Sequence, residues 1–172
     1  VLLGGLGVLA VLLVVALWWL SQPGTPTASG LDDTRVAILP FEVRGGEDLA
    51  HWREDMVEVL HLAIQGSDEV ISIDPNALLS YTSEDPLAST DPARGEAVAR
   101  HFGAGWYVLG TVTRVGEHLS VIPRLYREGT EPLDIEPVVV EGERSLLSAA
   151  DILAQRLVGV ILSRPGVRLP GL

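Results

Sequence analysis

Apolar residues run uninterrupted by charge from Val1 to Leu20 (VLLGGLGVLAVLLVVALWWL), and no other stretch of the chain has that texture. At about 1.5 Å of rise per residue, a helix of this length spans roughly 30 Å, the hydrocarbon thickness of a bilayer. Leu, Val and Ala fall on every face, which excludes an amphipathic helix lying on a surface. Trp18 and Trp19 close the run, where indole rings favour the membrane–water boundary. Two rival readings fit less well. A buried helix of a soluble core rarely stays free of charge for so long. A cleaved signal peptide would need a basic start, a shorter apolar stretch and a better cleavage site than Ala28-Ser29-Gly30. Residues 1–20 are therefore expected to be a transmembrane helix whose partner is the lipid bilayer. Gly4, Gly5 and Gly7 lack the Gly-x-x-x-Gly spacing of a helix-pairing face.

Beyond the run, residues 21–34 combine Pro, Gly, Ser and Thr with a first acidic pair, the composition of a tether. Then the period changes. Arg35 to Phe41 is a short, β-branched apolar run ended by Pro40-Phe41, which suits a buried strand. Arg44 to Asp48 turns the chain. Apolar positions next recur at Trp52, Met56, Val59, Leu60, Ala63 and Ile64, one face of a helix with Asp48 as its expected N-cap and Gly66 as its stop. Val70 to Ile73 reads as a second strand, Asn76 to Tyr81 as a short helical turn, 83–92 as a polar loop, and Ala93 to Phe102 as a helix. Trp106 to Thr113 and Leu119 to Tyr126 read as strands joined by the compact hairpin signal Val115-Gly116-Glu117-His118, and Leu133 to Val140 as a third strand. A last helix spans Ser145 to Ser163, with Leu146, Ala150, Leu153, Leu157 and Ile161 in one stripe. The order β-α-β-(α)-α-β-β-β-α predicts an α/β domain, a mixed sheet packed with helices, over residues 35–164. Residues 165–172 begin a second linker. The chain opens on Val1 rather than Met and stops at Leu172, so it is expected to be a piece of a longer protein.

Charge narrows the chemistry. There are 23 acidic and 12 basic residues, a net charge of −11, and every basic residue is Arg. That field has the wrong sign for nucleic acid, whose phosphates need Lys or Arg. Cysteine is absent, which excludes disulfides, thiolate metal sites and a thiol nucleophile. No His-Glu-x-x-His pair, no Gly-x-Ser-x-Gly elbow and no Asp-x-Asp-x-Asp-Gly loop occurs. Gly103-Ala104-Gly105 begins like a dinucleotide fingerprint but precedes a strand, whereas phosphate binding needs a helix N-terminus there. It reads as a tight helix-to-strand turn. His51 and Asp55 are expected to be a solvated i, i+4 pair, and Trp52 and Trp106 to pack inside. No catalytic, cofactor-binding or metal-ligating residue, and no cofactor, is assigned.

Val36-Ala37-Ile38-Leu39-Pro40-Phe41 resembles the "AVLPF" opening of TolB N-terminal-like domains. The stretch from Ala99 to Val112, containing Gly103, Tyr107 and Gly110, resembles that family's helix–Gly–"YVL-G-V" segment, and the hairpin follows through Tyr126. The resemblance covers residues 35 to 163 and departs at Val43–Glu47 and Pro132–Val140. It implies an anticodon-binding-like α/β fold in which Pro40, Phe41, Gly103, Tyr107 and Gly110 are structural. It also implies a context: such domains follow one membrane helix in bacterial Ser/Thr protein kinases and membrane-bound transcription regulators, often ahead of tetratricopeptide repeats. The family supplies no catalytic residues to carry over. With few basic residues flanking the membrane run on its C-terminal side, that side is expected to be extracytoplasmic. The expected function is a non-catalytic sensor or scaffold module at the bacterial inner membrane, acting on protein partners and open to homo-oligomer formation. The alternative is a small-ligand sensor of a membrane-bound regulator.

Overall fold

Val36, Ala37 and Ile38 are buried in succession, so the strand they belong to must be covered on both faces. The computed structural model, which describes residues 30–163, places that strand inside a sheet. The expected membrane helix with Trp18 and Trp19, the linker to residue 29 and the tail from residue 164 lie outside the described residues. Strand β1 (Asp32–Ile38) runs parallel to β3 (Ile71–Ser72) on one side and to β4 (Ala104–Val115) on the other. Strand β2 (Glu42–Arg44) continues the line of β1 further along β4. Strand β5 (His118–Arg127) pairs antiparallel with β4, and its outer side carries β6 (Leu133–Asp134) and β7 (Val138–Glu141). The result is a seven-stranded mixed sheet of order β3-β1-β4-β5-β6, with β2 on β4 and β7 on β5.

Two long helices close one face. In α1 (Trp52–Gln65), Trp52, Met56, Val57, Leu60 and Ile64 point inward. In α4 (Leu146–Leu162), the expected stripe of Leu146, Ala150, Leu153, Leu157 and Ile161 is buried, together with Ala149 and Ala154. Residues Glu143–Leu162 are, by length and composition, apolar enough to cross a membrane, with a mean hydropathy of 1.6. Their buried side is taken up by the sheet. On the second face lie α2 (Pro75–Thr82), α3 (Pro92–His101) and a 3-10 turn at Pro86–Ser89.

Three expectations need correction. Asp48 does not cap α1: a 3-10 turn at Glu47–Leu49 intervenes, and the Asp48 carboxylate instead accepts from Arg114 Nη2 at 2.6 Å. That bond holds the Asp48 carboxyl below the ordinary carboxylate range. The segment 83–92 is no plain loop. Asp74, Asp85 and Asp91 each accept a hydrogen bond from a backbone N–H just ahead, and each is followed by a Pro that opens the helix or 3-10 turn. Finally, Leu133 to Val140 is two short strands rather than one. Between them Ile135 turns its side chain into the core, Pro137 offers no N–H, and Arg156 from α4 donates to the carbonyls of Glu136 and Pro137 at 2.6 and 3.3 Å.

Candidate functional site

Along β4 the side chains alternate between the two faces, and the pairing with β5 puts Tyr107 opposite Tyr126, Thr111 opposite Ile122 and Thr113 opposite Ser120. The second face therefore has two halves. In the first, Tyr107 stacks on Tyr126 at 4.9 Å and 9°, and the Tyr107 hydroxyl donates to the Pro92 carbonyl at 3.0 Å. Burial, joined by the fields of Glu96, Tyr126 and Asp91, pushes the Tyr107 phenol up to about 12. It is a neutral, structural tyrosine. The helical layer covers this half and ends near Leu109.

The other half is open. Thr111, Thr113 and Val115 from β4, Ser120, Ile122 and Arg124 from β5, Glu42 and Arg44 from β2, and Val139 from β7 share the face. Val115 and Val139 are 64% and 63% exposed, a level that marks an uncovered sheet rather than a thin core. Where the open half meets the turn at Ser89 and Thr90, a cleft of about 580 Å³ forms, with Glu42, Arg44, Thr111, Ile122, Arg124 and Tyr126 among its walls. Arg44 is held by Glu42 through two bonds of 2.9 Å, which raise its affinity for the proton further. Arg124 is more loosely placed, with Asp134 at 3.6 Å. The cleft's size suits a small ligand. Its chemistry is hydroxyls, two guanidiniums, the Glu42 carboxylate and aliphatic carbon.

The five residues singled out by family resemblance serve the interior. Phe41 packs against Gly110, where an added Cβ would sit 2.0 Å from the ring. Pro40 is buried, and after it the Phe41 N–H turns away from the sheet to the Arg53 carbonyl at 2.9 Å. Gly103, at φ +67°, makes the turn from α3 into β4 that other residues enter with strain. The reading of Gly103–Gly105 as a helix-to-strand turn agrees with this geometry. Trp52 and Trp106 are buried, and Trp106 Nε1 donates to the Asp33 carbonyl at 2.9 Å. His51 and Asp55 face solvent at 3.9 Å, as their spacing suggested.

One contact escaped the sequence. His61 Nδ1 lies 2.5 Å from Ser72 Oγ, and its other ring nitrogen lies 2.7 Å from Gln65 Nε2. A hydrolytic triad would need a carboxylate in the position that the neutral Gln65 amide takes. The trio ties α1 to the edge strand β3. Among the described residues no group of three His, Asp or Glu converges as a metal site would require. The open half-face was itself legible: on β4 the positions sharing one face pass from Tyr107 and Leu109 to Thr111 and Thr113, marking where the cover ends.

No protein-family model and no curated protein sequence matches the chain. Solved structures do resemble it. The lipoprotein GNA1162 from Neisseria meningitidis aligns over 77% of this chain and 99% of its own at 15% identity, with a TM-score of 0.51. The C-terminal domain of LpoB from Escherichia coli covers 65% of this chain and 85% of its own at 13% identity, with a TM-score of 0.50. TolB from Acinetobacter baumannii aligns over 75% of this chain and 28% of its own at 15% identity; its TM-score of 0.48 is below the level from which a fold is argued. The chain thus shares the fold of the first two domains, in keeping with the mixed α/β architecture that the TolB resemblance implies.

Proposed function

We propose that this chain is a non-catalytic, extracytoplasmic interaction module that meets its protein partner with the open half of the sheet's second face. The observation that carries the reading is the exposure of Val115, Ile122 and Val139 on one face, in three successive cross-strand rows with Thr, Ser and Arg side chains between them, on strands that are otherwise well packed. Exposed aliphatic groups interleaved with hydroxyls and guanidiniums suit a contact surface that must stay soluble when free. The likeness to a lipoprotein domain fits an extracytoplasmic setting. In this reading residues 1–20 anchor the chain in the inner membrane, with Trp18 and Trp19 at the interface. Residues 21–31 are the tether, the domain opens with β1 at Asp32 rather than at the expected residue 35 and runs to 164, and 165–172 are the start of a further linker. The larger protein is a bacterial receptor kinase or a tetratricopeptide protein.

The test is a photo-crosslinking amino acid placed at Ser120 on the open face and, separately, at exposed Leu62 on α1, in the membrane-inserted chain. Protein adducts from Ser120 and none from Leu62 are expected; the reverse pattern overturns the proposal. Alkaline phosphatase fused after Leu172 should be active if the domain is outside the cytoplasm. A second reading rests on the cleft at Arg44 and Arg124: a small-ligand sensor of a membrane-bound regulator. A compound that raises the melting temperature in the parent chain and not in Arg124→Ala would favour it.

A further inference from the structure

The outer side of β7 has no strand beside it among the described residues, because β5 supplies its single neighbour. Proteins ordinarily blunt such an edge with charge, proline or a bulge at its middle, since the unpaired N–H and C=O groups template a further strand. Here the blunting stands at the ends, at Pro137 and Glu141, and the middle is Val139-Val140, both strong strand formers. Val139 is 63% exposed and lies in one row with Ser120, Thr113 and Arg44 across four strands. Behind the edge, β4 and β5 are locked in a ten-pair register, so the edge is presented by a stiff platform.

Charge decides what can dock. From Glu131 to Glu143 the chain carries five acidic residues (Glu131, Asp134, Glu136, Glu141, Glu143) and no basic one. Arg124 reaches Asp134, Arg156 reaches Glu136, and Arg114 lies close enough to Glu143 to feel its field. Two copies pairing β7 to β7 about a two-fold axis would set Val139 against Val140 and bring both acidic sets into one strip. Each copy also has a net charge of −11. Like charges across adjoining strands disfavour that arrangement. An extended segment with Arg or Lys at its flanks and small β-branched residues between them meets the opposite situation.

We infer that the free edge of β7 takes up an extended, basic segment of a partner protein as an added strand, the acidic residues around it selecting for Arg or Lys. This deepens the reading of the domain as a protein-interaction module and rests on it.

The test uses the full chain and three seven-residue peptides: alternating Arg and Val, alternating Glu and Val, and the Arg–Val peptide N-methylated at every amide. Binding is followed by titration, and its position by hydrogen exchange. The Arg–Val peptide should bind and slow exchange at 138–141. Full N-methylation, or exchange of Arg for Glu, should weaken binding at least tenfold. Glu141→Lys should reverse the preference between the Arg and Glu peptides, or narrow it at least fivefold. Binding indifferent to N-methylation, or protection confined to Thr113 and Ile122, overturns the edge while leaving the open-face contact standing. A homodimer of the full chain that protects 138–141 overturns the choice of a basic partner. Peptide addition at β7 with no crosslink from Ser120 sinks the open-face contact instead, so the two failures are told apart.

Discussion

The two faces of one sheet are formed by the same strands, and they are finished differently. Under α1 and α4, twenty-five of the described residues are buried in a continuous core that follows β4 and β5. On the opposite face eleven are, and they stop at Leu109 and Tyr126. The change happens within single strands: Trp106, Val108 and Val112 stay buried on the first face, while Tyr107 and Leu109 give way to Thr111 and Thr113 on the second. A sheet needs one covered face to fold and keeps the other available. The stability of this domain is therefore expected to reside on the α1–α4 side, and its function on the side the helices leave bare.

The hardest blow to that division is Phe41→Ala. Phe41 is fully buried and seals the first face over Gly110, so truncation should destabilise the domain by about 3–5 kcal/mol in urea unfolding. A loss under 1 kcal/mol would mean that the first face is not the seat of stability. Gly110→Ala attacks the same contact from the strand. Its new methyl has no room against the ring and should cost about 1–3 kcal/mol through overpacking. Because the two residues touch, Phe41→Leu should recover part of the Gly110→Ala loss; strict additivity of the two changes would contradict the contact.

The elements with a strong local signal are readable in the sequence: the stripe of Leu146, Ala150, Leu153, Leu157 and Ile161 is the buried face of α4, and the hairpin arms pair as the turn signal between them implies. Two of the three errors share a physical cause, competition from a residue distant in sequence. Asp48 had the chemistry of a cap, yet Arg114 from β4, 66 residues on, holds its carboxylate. The strand at 133–140 had the composition but is broken where Arg156 draws two carbonyls toward α4. The Asp-Pro steps at 74, 85 and 91 were a local signal that could have been read, since Asp caps and Pro pre-sets the first turn. As for the candidate site, the switch to Thr on one face of β4 was visible in the sequence. That β2 would bring Glu42 and Arg44 alongside was not, for three residues carry too little pattern to declare a strand.

A milder probe asks whether the covered half of the second face contributes at all. Tyr107→Phe removes the hydrogen bond to the Pro92 carbonyl and should cost about 0.5–1.5 kcal/mol at neutral pH. The change also has a pH signature. Burial favours the neutral phenol, so the folded chain holds this proton to about pH 12, whereas the unfolded chain releases it near 10.0. The contribution is intact below pH 10.0 and is lost as pH rises toward 12. The gap between parent and Tyr107→Phe should therefore shrink from pH 9 to pH 11, and a constant gap would place Tyr107 in a more solvated setting.

The smallest expected effect on folding sharpens the comparison most. Ile122→Arg lies on the open half, opposite Thr111, where a long side chain has solvent to enter. Substitutions at such positions ordinarily stay within about 0.5 kcal/mol. Stability should thus be unchanged in urea, while crosslinking from Ser120 to a partner falls at least tenfold. An aliphatic contact is lost there, and a guanidinium stands where the partner must come close. If Ile122→Arg unfolds the domain instead, the bare half-face is part of the core. If it leaves both stability and crosslinking untouched, the partner is held elsewhere, and the contrast between the two faces describes packing alone.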